Sequence, residues 1–191
     1  MAEGIILTAG YASRAQSNKM LFEIDKTKMI YHAISSMQPH VSHIYVVTGY
    51  YHKEIHNALK SLSDVTCVMN TQFEKGMFSS VQAGVRMTNE DFFILPGDCP
   101  FVSKQTYENL LKGRKEIRIP SYQGRRGHPI FFKKKFKRII LEEDQTSNLK
   151  RIRNRFDFET IEGLDVNILN DVDTRNDLNQ LIKQRSIKNG N

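Results

Sequence analysis

Residues 4–10, Gly4-Ile5-Ile6-Leu7-Thr8-Ala9-Gly10, decide how this chain is read. The short apolar run fits a buried strand, and Thr8-Ala9-Gly10 breaks it where small side chains let the backbone turn. The same unit recurs along the chain. Residues 43–48 (HIYVVT) form a second apolar run closed by Gly49, residues 65–69 a third, and residues 92–95 a fourth, halted by Pro96-Gly97. Between these runs the apolar spacing becomes helical. Met29, Ile30, Ala33, Ile34 and Met37 share one face, as do Ile55, Leu59 and Leu62 within residues 53–62. Residues 76–86 read as a helix after a glycine-containing turn, and Ser103 is placed to cap a helix running to Leu111.

Strands alternating with helices imply a doubly wound, mostly parallel α/β sheet, Rossmann-like and three-layered, with helices on both faces. Ligands bind such folds outside the carboxyl ends of the strands, so the loops after Leu7, Met69 and Leu95 matter most. Beyond residue 115 the pattern changes. Residues 117–120, a Gly-Arg-Arg-Gly turn at 124–127, and residues 130–132 predict a strand pair, a small antiparallel addition. Basic helices and a late strand at 158–161 follow, and residues 186–191 read as a frayed tail. Neither an internal repeat nor a low-complexity linker divides the chain, so a single domain over 1–191 is expected.

A chain of 191 residues can enclose a real core, and 39% hydrophobic against 26% charged residues marks it as globular rather than disordered. The 28 Lys and Arg outnumber 21 Asp and Glu, for a net charge of +7. That excess is regional: residues 112–155 hold 15 basic and 4 acidic residues, while the remainder is mildly acidic. Such a distribution suits anionic ligands better than a general nucleic-acid coating. Cys67 and Cys99 are too few for a disulfide framework. The first ten residues lack the charged start and apolar length of a secretory signal, and no run is long enough to span a membrane. A reduced, cytoplasmic setting is expected.

Several segments carry chemistry. The loop from Leu7 to Lys19 offers small residues through which backbone N–H groups can approach a phosphate, with Arg14 and Lys19 supplying positive charge. It is neither a Walker loop nor a GxGxxG fingerprint. Pro96-Gly97-Asp98-Cys99-Pro100 places a carboxylate at the end of an apolar strand, which suits a hard cation or an ordinary turn. Asn170-Asp171-Val172-Asp173-Thr174 puts two carboxylates on one side of an extended segment, or lets Asp173 cap a following helix. Asn70 and Gly76-Met77-Phe78-Ser79-Ser80 can open a helix toward a ligand or merely cap it. In Gly127-His128-Pro129 the imidazole can meet substrate or finish a hairpin. No HxxxH or CxxC spacing supports zinc, and GxSxG is absent. Arg125, Arg126 and the run Lys133 to Arg138 can attract an anionic acceptor. The lysine run is read as coating a solvated helix face.

Taken in order, the Leu7 to Lys19 loop, the Asn70 to Ser80 segment, the Leu95 to Pro100 turn, Gly127-His128-Pro129 and Asp171-Val172-Asp173-Thr174 resemble the MobA-like nucleotidyltransferases, most closely their molybdenum cofactor cytidylyltransferase branch. The resemblance spans nearly the whole chain. It implies an NTP and a phosphorylated acceptor, molybdopterin, giving a nucleotide-linked product and pyrophosphate, in a monomer that serves a molybdoenzyme-maturation partner. Carried over by position, Leu7, Thr8, Ala9, Gly10 and Gly97 would border the nucleotide, with Arg14 and Lys19 on its triphosphate. Asp98 would bind Mg²⁺ (or Mn²⁺), with Asp173 and Asp171 completing the metal site. Asn70, Ser79 and Ser80 would flank the nucleotide or acceptor, and Gly127 and His128 the acceptor. Residues 1–111 would thus form a nucleotide half and 112–185 an acceptor half.

Two details of the first loop stand out. The family usually has Arg-Met-Gly where this chain has Arg14-Ala15-Gln16, which bears on efficiency and leaves open a nucleotide-binding protein that has lost catalysis. Thr8-Ala9-Gly10 is similar to the cytidylyl type, and the Ala9 methyl would crowd a purine, so CTP is the expected nucleotide. A sugar phosphate is the alternative acceptor. A nucleic-acid-binding role lacks any RRM, KH, zinc-finger or helix-turn-helix signature.

Overall fold

A computed structural model describes residues 1–10, 18–172, 176–177 and 179. The elements in order are β1 (Ala2–Leu7), β2 (Glu23–Ile24), β3 (Thr27–Lys28), α1 (Met29–Met37), β4 (Val41–Thr48), α2 (His52–Leu59), β5 (Val65–Met69) and α3 (Met77–Met87). They continue as β6 (Phe92–Pro96), α4 (Lys104–Lys112), β7 (Ile117–Tyr122), β8 (Arg125–Arg126), β9 (Ile130–Phe132), α5 (Phe136–Glu142), α6 (Leu149–Arg153) and β10 (Glu159–Glu162). The expected tail at 186–191 lies outside the described residues.

The main sheet has the order β10-β7-β9-β6-β1-β4-β5, with β8 paired to β7. β1 is parallel to both β4 and β6, β4 to β5, and β7 to β10. β9 runs antiparallel between β6 and β7, and the short β8 is antiparallel to β7. The strand pair predicted from residues 117–132 is therefore inserted into the main sheet rather than appended to it. Its connection through β8 turns at Gln123 and Gly124, both at positive φ, the geometry of a two-residue hairpin whose twist matches the strands.

Alternation along the central strands builds two cores. Ile6, Ile44, Val46, Phe93 and Leu95 face α1, α2 and α4, where Met29, Ile55, Tyr107 and Leu110 are buried. Ile5, Leu7, Val47, Phe92 and Ile94 face α3, α5 and α6, where Phe78, Val85, Phe136 and Ile152 are buried. Ile5 and Ile6 are both fully buried, each contributing roughly 1.5–3 kcal/mol of hydrophobic stabilisation. The result is a three-layer, mostly parallel α/β fold.

Small departures have local causes. α2 stops at Leu59, and Leu62 reaches the core from a turn in which its N–H donates to the Leu59 carbonyl. The late strand sits one residue later than predicted, at Glu159–Glu162. The β2–β3 ribbon was not expected from the sequence. Its turn places Asp25 and Lys26 at positive φ without a glycine to signal it.

In register, Leu7 lies opposite Val47 and Pro96, and Thr48 opposite Met69. The four parallel strands therefore end level, and their loops open along one edge. Because β9 is reversed, the segment entering it, Gly127-His128-Pro129, arrives at that same edge. No helix among the described residues is long and apolar enough to cross a membrane.

Candidate active site

The floor of the site is backbone. The Thr8 N–H and hydroxyl both donate to the Val47 carbonyl at 2.8 Å, so this hydroxyl is committed to the sheet. The Gly97 N–H donates to the Leu7 carbonyl at 2.9 Å, and the Asn70 N–H to the Thr48 carbonyl at 2.8 Å. These bonds continue the ladder one step past each strand and fix where the loops depart. Ala9 is buried, while Gly10 faces open space.

Above that floor, Lys19 and Asp98 meet. Asn18 caps a short 3-10 turn, Lys19–Leu21, by accepting from the Met20 N–H, and the buried Met20 side chain anchors that turn to the core. The Lys19 Nζ then donates to Asp98 Oδ2 at 3.0 Å. Two residues far apart in sequence thus form a partly buried ion pair at the carboxyl end of β1 and β6. Beside it, the Cys99 Sγ lies 3.9 Å from Asp98 Oδ1. Burial, then the charges of Asp98 and Asp171, push the Cys99 thiol well up, so it stays protonated and is no nucleophile.

The later motifs converge on the same point. The Val172 N–H donates to the Asp98 carbonyl at 2.9 Å, which brings Asp171 beside Asp98, and the His128 N–H donates to the Ile168 carbonyl at 3.0 Å. Burial holds the His128 pKa low, while the carboxylates of Asp98 and Asp171 oppose that shift and Arg153 adds to it. The imidazole is therefore neutral at pH 7, and its Nδ1 is buried without a hydrogen-bond partner among the described residues. Gly127 permits this approach. A Cβ there would lie 2.1 Å from the Ile168 carbonyl oxygen. Gly127→Ala is expected to displace the 168–172 segment and to destabilise the fold by roughly 1–3 kcal/mol, read from urea denaturation. An unchanged midpoint would mean that the close approach is dispensable.

Asn70, Ser79 and Ser80 form a buried group. The Asn70 Nδ2 donates to both serine hydroxyls, at 2.9 and 3.0 Å, and its Oδ1 accepts from the Gln72 N–H. The Ser79 hydroxyl lies within hydrogen-bonding distance of the Gln72 and Gly76 carbonyls. The network ties the end of β5 to the start of α3 and so shapes the cleft wall. Arg14 and Asp173 lie outside the described residues.

The lysine run behaves as a solvated, internally paired surface. Lys133 pairs with Asp91 at 2.8 Å, Lys135 with Glu116 at 2.6 Å, and Lys137 donates to the Arg86 and Thr88 carbonyls. A different basic residue was missed from sequence. Arg153, at the end of α6, is only 9% exposed and reaches His128 electrostatically. It belongs to no motif, and only its place in a segment rich in Arg and Lys hints at it.

The carboxyl edge of the doubly wound sheet thus gathers a cation, two carboxylates and exposed backbone. Residues 4–160 match the MobA-like NTP transferase domain. The molybdenum cofactor cytidylyltransferase of Escherichia coli (strain K12) is 27% identical over 175 residues, 91% of each chain. Among solved structures, a nucleotidyl transferase from Methanothermobacter thermautotroptrophicus superposes with a TM-score of 0.82 at 18% identity, covering 96% of this chain and 97% of that one. Rv0371c from Mycobacterium tuberculosis H37Rv, in complex with manganese, gives 0.78 at 17% identity, covering 95% and 98%. Those two likenesses carry the fold. With the family match over most of its length, the chain belongs to the MobA-like NTP transferase domain family and is a nucleotidyltransferase.

Proposed function

We propose that the protein transfers CMP from CTP to a phosphorylated acceptor, molybdopterin, and releases pyrophosphate. The observation that carries this reading is the Lys19–Asp98 pair at the carboxyl end of the central strands, with the Asp171 segment bonded to the Asp98 carbonyl. The E. coli relative, named for the same reaction class, supports the nucleotide and the acceptor.

In the reaction, an acceptor phosphate oxygen bonds to the α-phosphorus of CTP. The bond from that phosphorus to the oxygen bridging the α- and β-phosphates breaks, and pyrophosphate leaves with the electron pair. The nucleophile is already ionised at neutral pH, so no strong base is required. A neutral His128 and a protonated Cys99 are compatible with that. The obstacle is repulsion between two anions. Lys19 is placed to offset charge growing on the departing pyrophosphate, and Arg14 is assigned the same work.

The donor set fits a hard divalent cation. Asp98 and Asp171 both bear on Cys99 and His128, and among the described residues no cluster of three His, Cys, Asp or Glu side chains stands ready to hold a metal alone. Mg²⁺ characteristically uses one or two carboxylates and completes its shell with water and substrate phosphates. Asp98 and Asp171, with Asp173, would hold it, and Mn²⁺ would substitute, as the manganese complex of Rv0371c supports. When bound, the ion supplies charge neutralisation at the α-phosphate.

In this reading Ala9, buried at the start of the first loop, disfavours a purine. The expected kcat/KM for CTP exceeds that for GTP by at least about tenfold, the scale on which one methylene discriminates. Pyrophosphate release with each NTP, Mg²⁺ and molybdopterin measures this, and equal turnover contradicts it. Release with a sugar phosphate and none with molybdopterin would reassign the acceptor. In the same reading, residues 1–111 handle the nucleotide and 112–185 the acceptor, in a cytoplasmic monomer that serves a molybdoenzyme-maturation partner.

A further inference from the structure

Several cations in the basic segment have a hydrogen-bonding or ion-pair partner. Arg118 donates to the Lys115, Leu110 and Leu111 carbonyls, Arg155 pairs with Glu143 at 2.7 Å, and the lysine run is tied down as described. Arg126 and Arg153 are instead gathered on one aromatic ring. The Arg153 guanidinium carbon lies 5.4 Å from the centroid of the Phe158 ring and that of Arg126 lies 4.8 Å from the same centroid. Among the described residues the Arg153 side chain makes one hydrogen bond, from Nε to the neighbouring Asn154 Oδ1 at 3.2 Å, and neither arginine pairs with a carboxylate. Arg153 is nine-tenths buried.

Two guanidiniums gathered on one ring, one of them buried, repel each other, with no carboxylate paired to either among the described residues. Burial and then the charge of Arg126 depress the Arg153 pKa. Stacking on the ring leaves the in-plane N–H donors of each fork available, and such forks match phosphate oxygens in pairs. The position is informative as well. Arg126 ends β8, two residues before His128, and Arg153 reaches His128 electrostatically, as Asp98 and Asp171 do.

We propose that Arg126 and Arg153, brought together on the Phe158 ring, form an anion subsite on the His128 side of the cleft that receives the phosphomonoester of the acceptor. The proposal rests on the reading that the acceptor is phosphorylated. It adds the residues that hold that acceptor: the phosphate sits in the Arg126–Arg153 fork, beside His128.

The test titrates inorganic phosphate into the full chain by calorimetry, alone and with saturating CTP and Mg²⁺. The variants are Arg126→Ala, Arg153→Lys, Arg153→Gln and, as a neighbouring control, Arg125→Ala. Arg126 is exposed, so its variant folds whatever Arg153 requires. Expected are a loss of phosphate affinity of about tenfold or more in Arg126→Ala and in both Arg153 variants, and a change below about twofold in Arg125→Ala. CTP binding is expected to be retained in every variant, and phosphate to bind alongside CTP. Equal losses in Arg125→Ala would mean a diffuse basic surface and overturn the subsite. Strict competition between phosphate and CTP would place the anion at the triphosphate and overturn it too. If CTP fails to bind the unmodified protein, the nucleotide reading fails instead, while the phosphate titrations still judge the subsite.

Discussion

Replacing Asp98 by asparagine is expected to lower kcat about a thousandfold or more, because several kcal/mol of charge stabilisation at the α-phosphate depend on this carboxylate. The amide keeps the size and much of the hydrogen bonding of the side chain but loses the charge. The fold is expected to survive. The bond that brings the 168–172 segment to this point uses the Asp98 backbone carbonyl, which the substitution leaves intact. What is lost is the ion pair with Lys19, whose partners are 15% and 25% exposed, and such a solvent-touched pair contributes about 1 kcal/mol or less. The expected change in Tm is therefore within about 4 °C. Steady-state pyrophosphate release together with a thermal melt checks both halves. Near-wild-type turnover would refute the metal role, and a collapsed melt would recast Asp98 as structural.

Lys19→Met is expected to cost about 10²–10³-fold in kcat, the scale for removing one preorganised group aimed at charge that grows during reaction. The turn carrying Lys19 is held independently of its ammonium, by the Asn18 cap and the buried Met20, so the substitution leaves the local backbone in place. It also frees Asp98 from its only described cationic partner within ion-pair distance. If Lys19 acts on departing pyrophosphate, kcat falls while KM for CTP moves little. If it merely binds the triphosphate, KM rises and kcat holds. Lys19→Arg restores charge in a broader shape and is expected to recover part of the loss. Full activity in Lys19→Met would remove this residue from the mechanism.

How legible this was in the sequence depends on the kind of signal involved. Ile5, Ile6, Val46, Val47, Phe93 and Ile94 alternate between two buried faces, so the runs containing them read as strands from composition alone. The cap by Ser103 was equally readable: its side chain accepts from the Thr106 N–H at the first turn of α4. The β2–β3 ribbon was not, because Asp25 and Lys26 adopt positive φ without the glycine that normally marks such a turn. Nor was the placement of β9. Residues 130–132 look like a strand in any setting, and only tertiary packing decides that they enter between β6 and β7 in reverse.

Within the site, motif order singled out Asp98, Lys19, Asp171 and His128, while spacing could not bring them together. Their convergence rests on backbone bonds between distant segments, from Val172 to Asp98 and from His128 to Ile168. Arg153 was invisible for a related reason. Its distinction is burial combined with the absence of a carboxylate partner among the described residues, and neither property exists before the chain is folded. The regional charge excess marked the segment that contains Arg153 but not the residue, since Lys133, Lys135 and Arg155 contribute equally to the count and are paired.

The most direct test of nucleotidyl transfer at Asp98 and Lys19 follows phosphorus itself. CTP labelled at the α-phosphate, or separately at the γ-phosphate, is incubated with molybdopterin, Mg²⁺ and either the unmodified protein or Asp98→Asn. The α-label is expected to enter the acceptor product and the γ-label to appear only in pyrophosphate, and neither is expected to move in Asp98→Asn. Transfer of γ-label to the acceptor, or α-label transfer undiminished in Asp98→Asn, would contradict it.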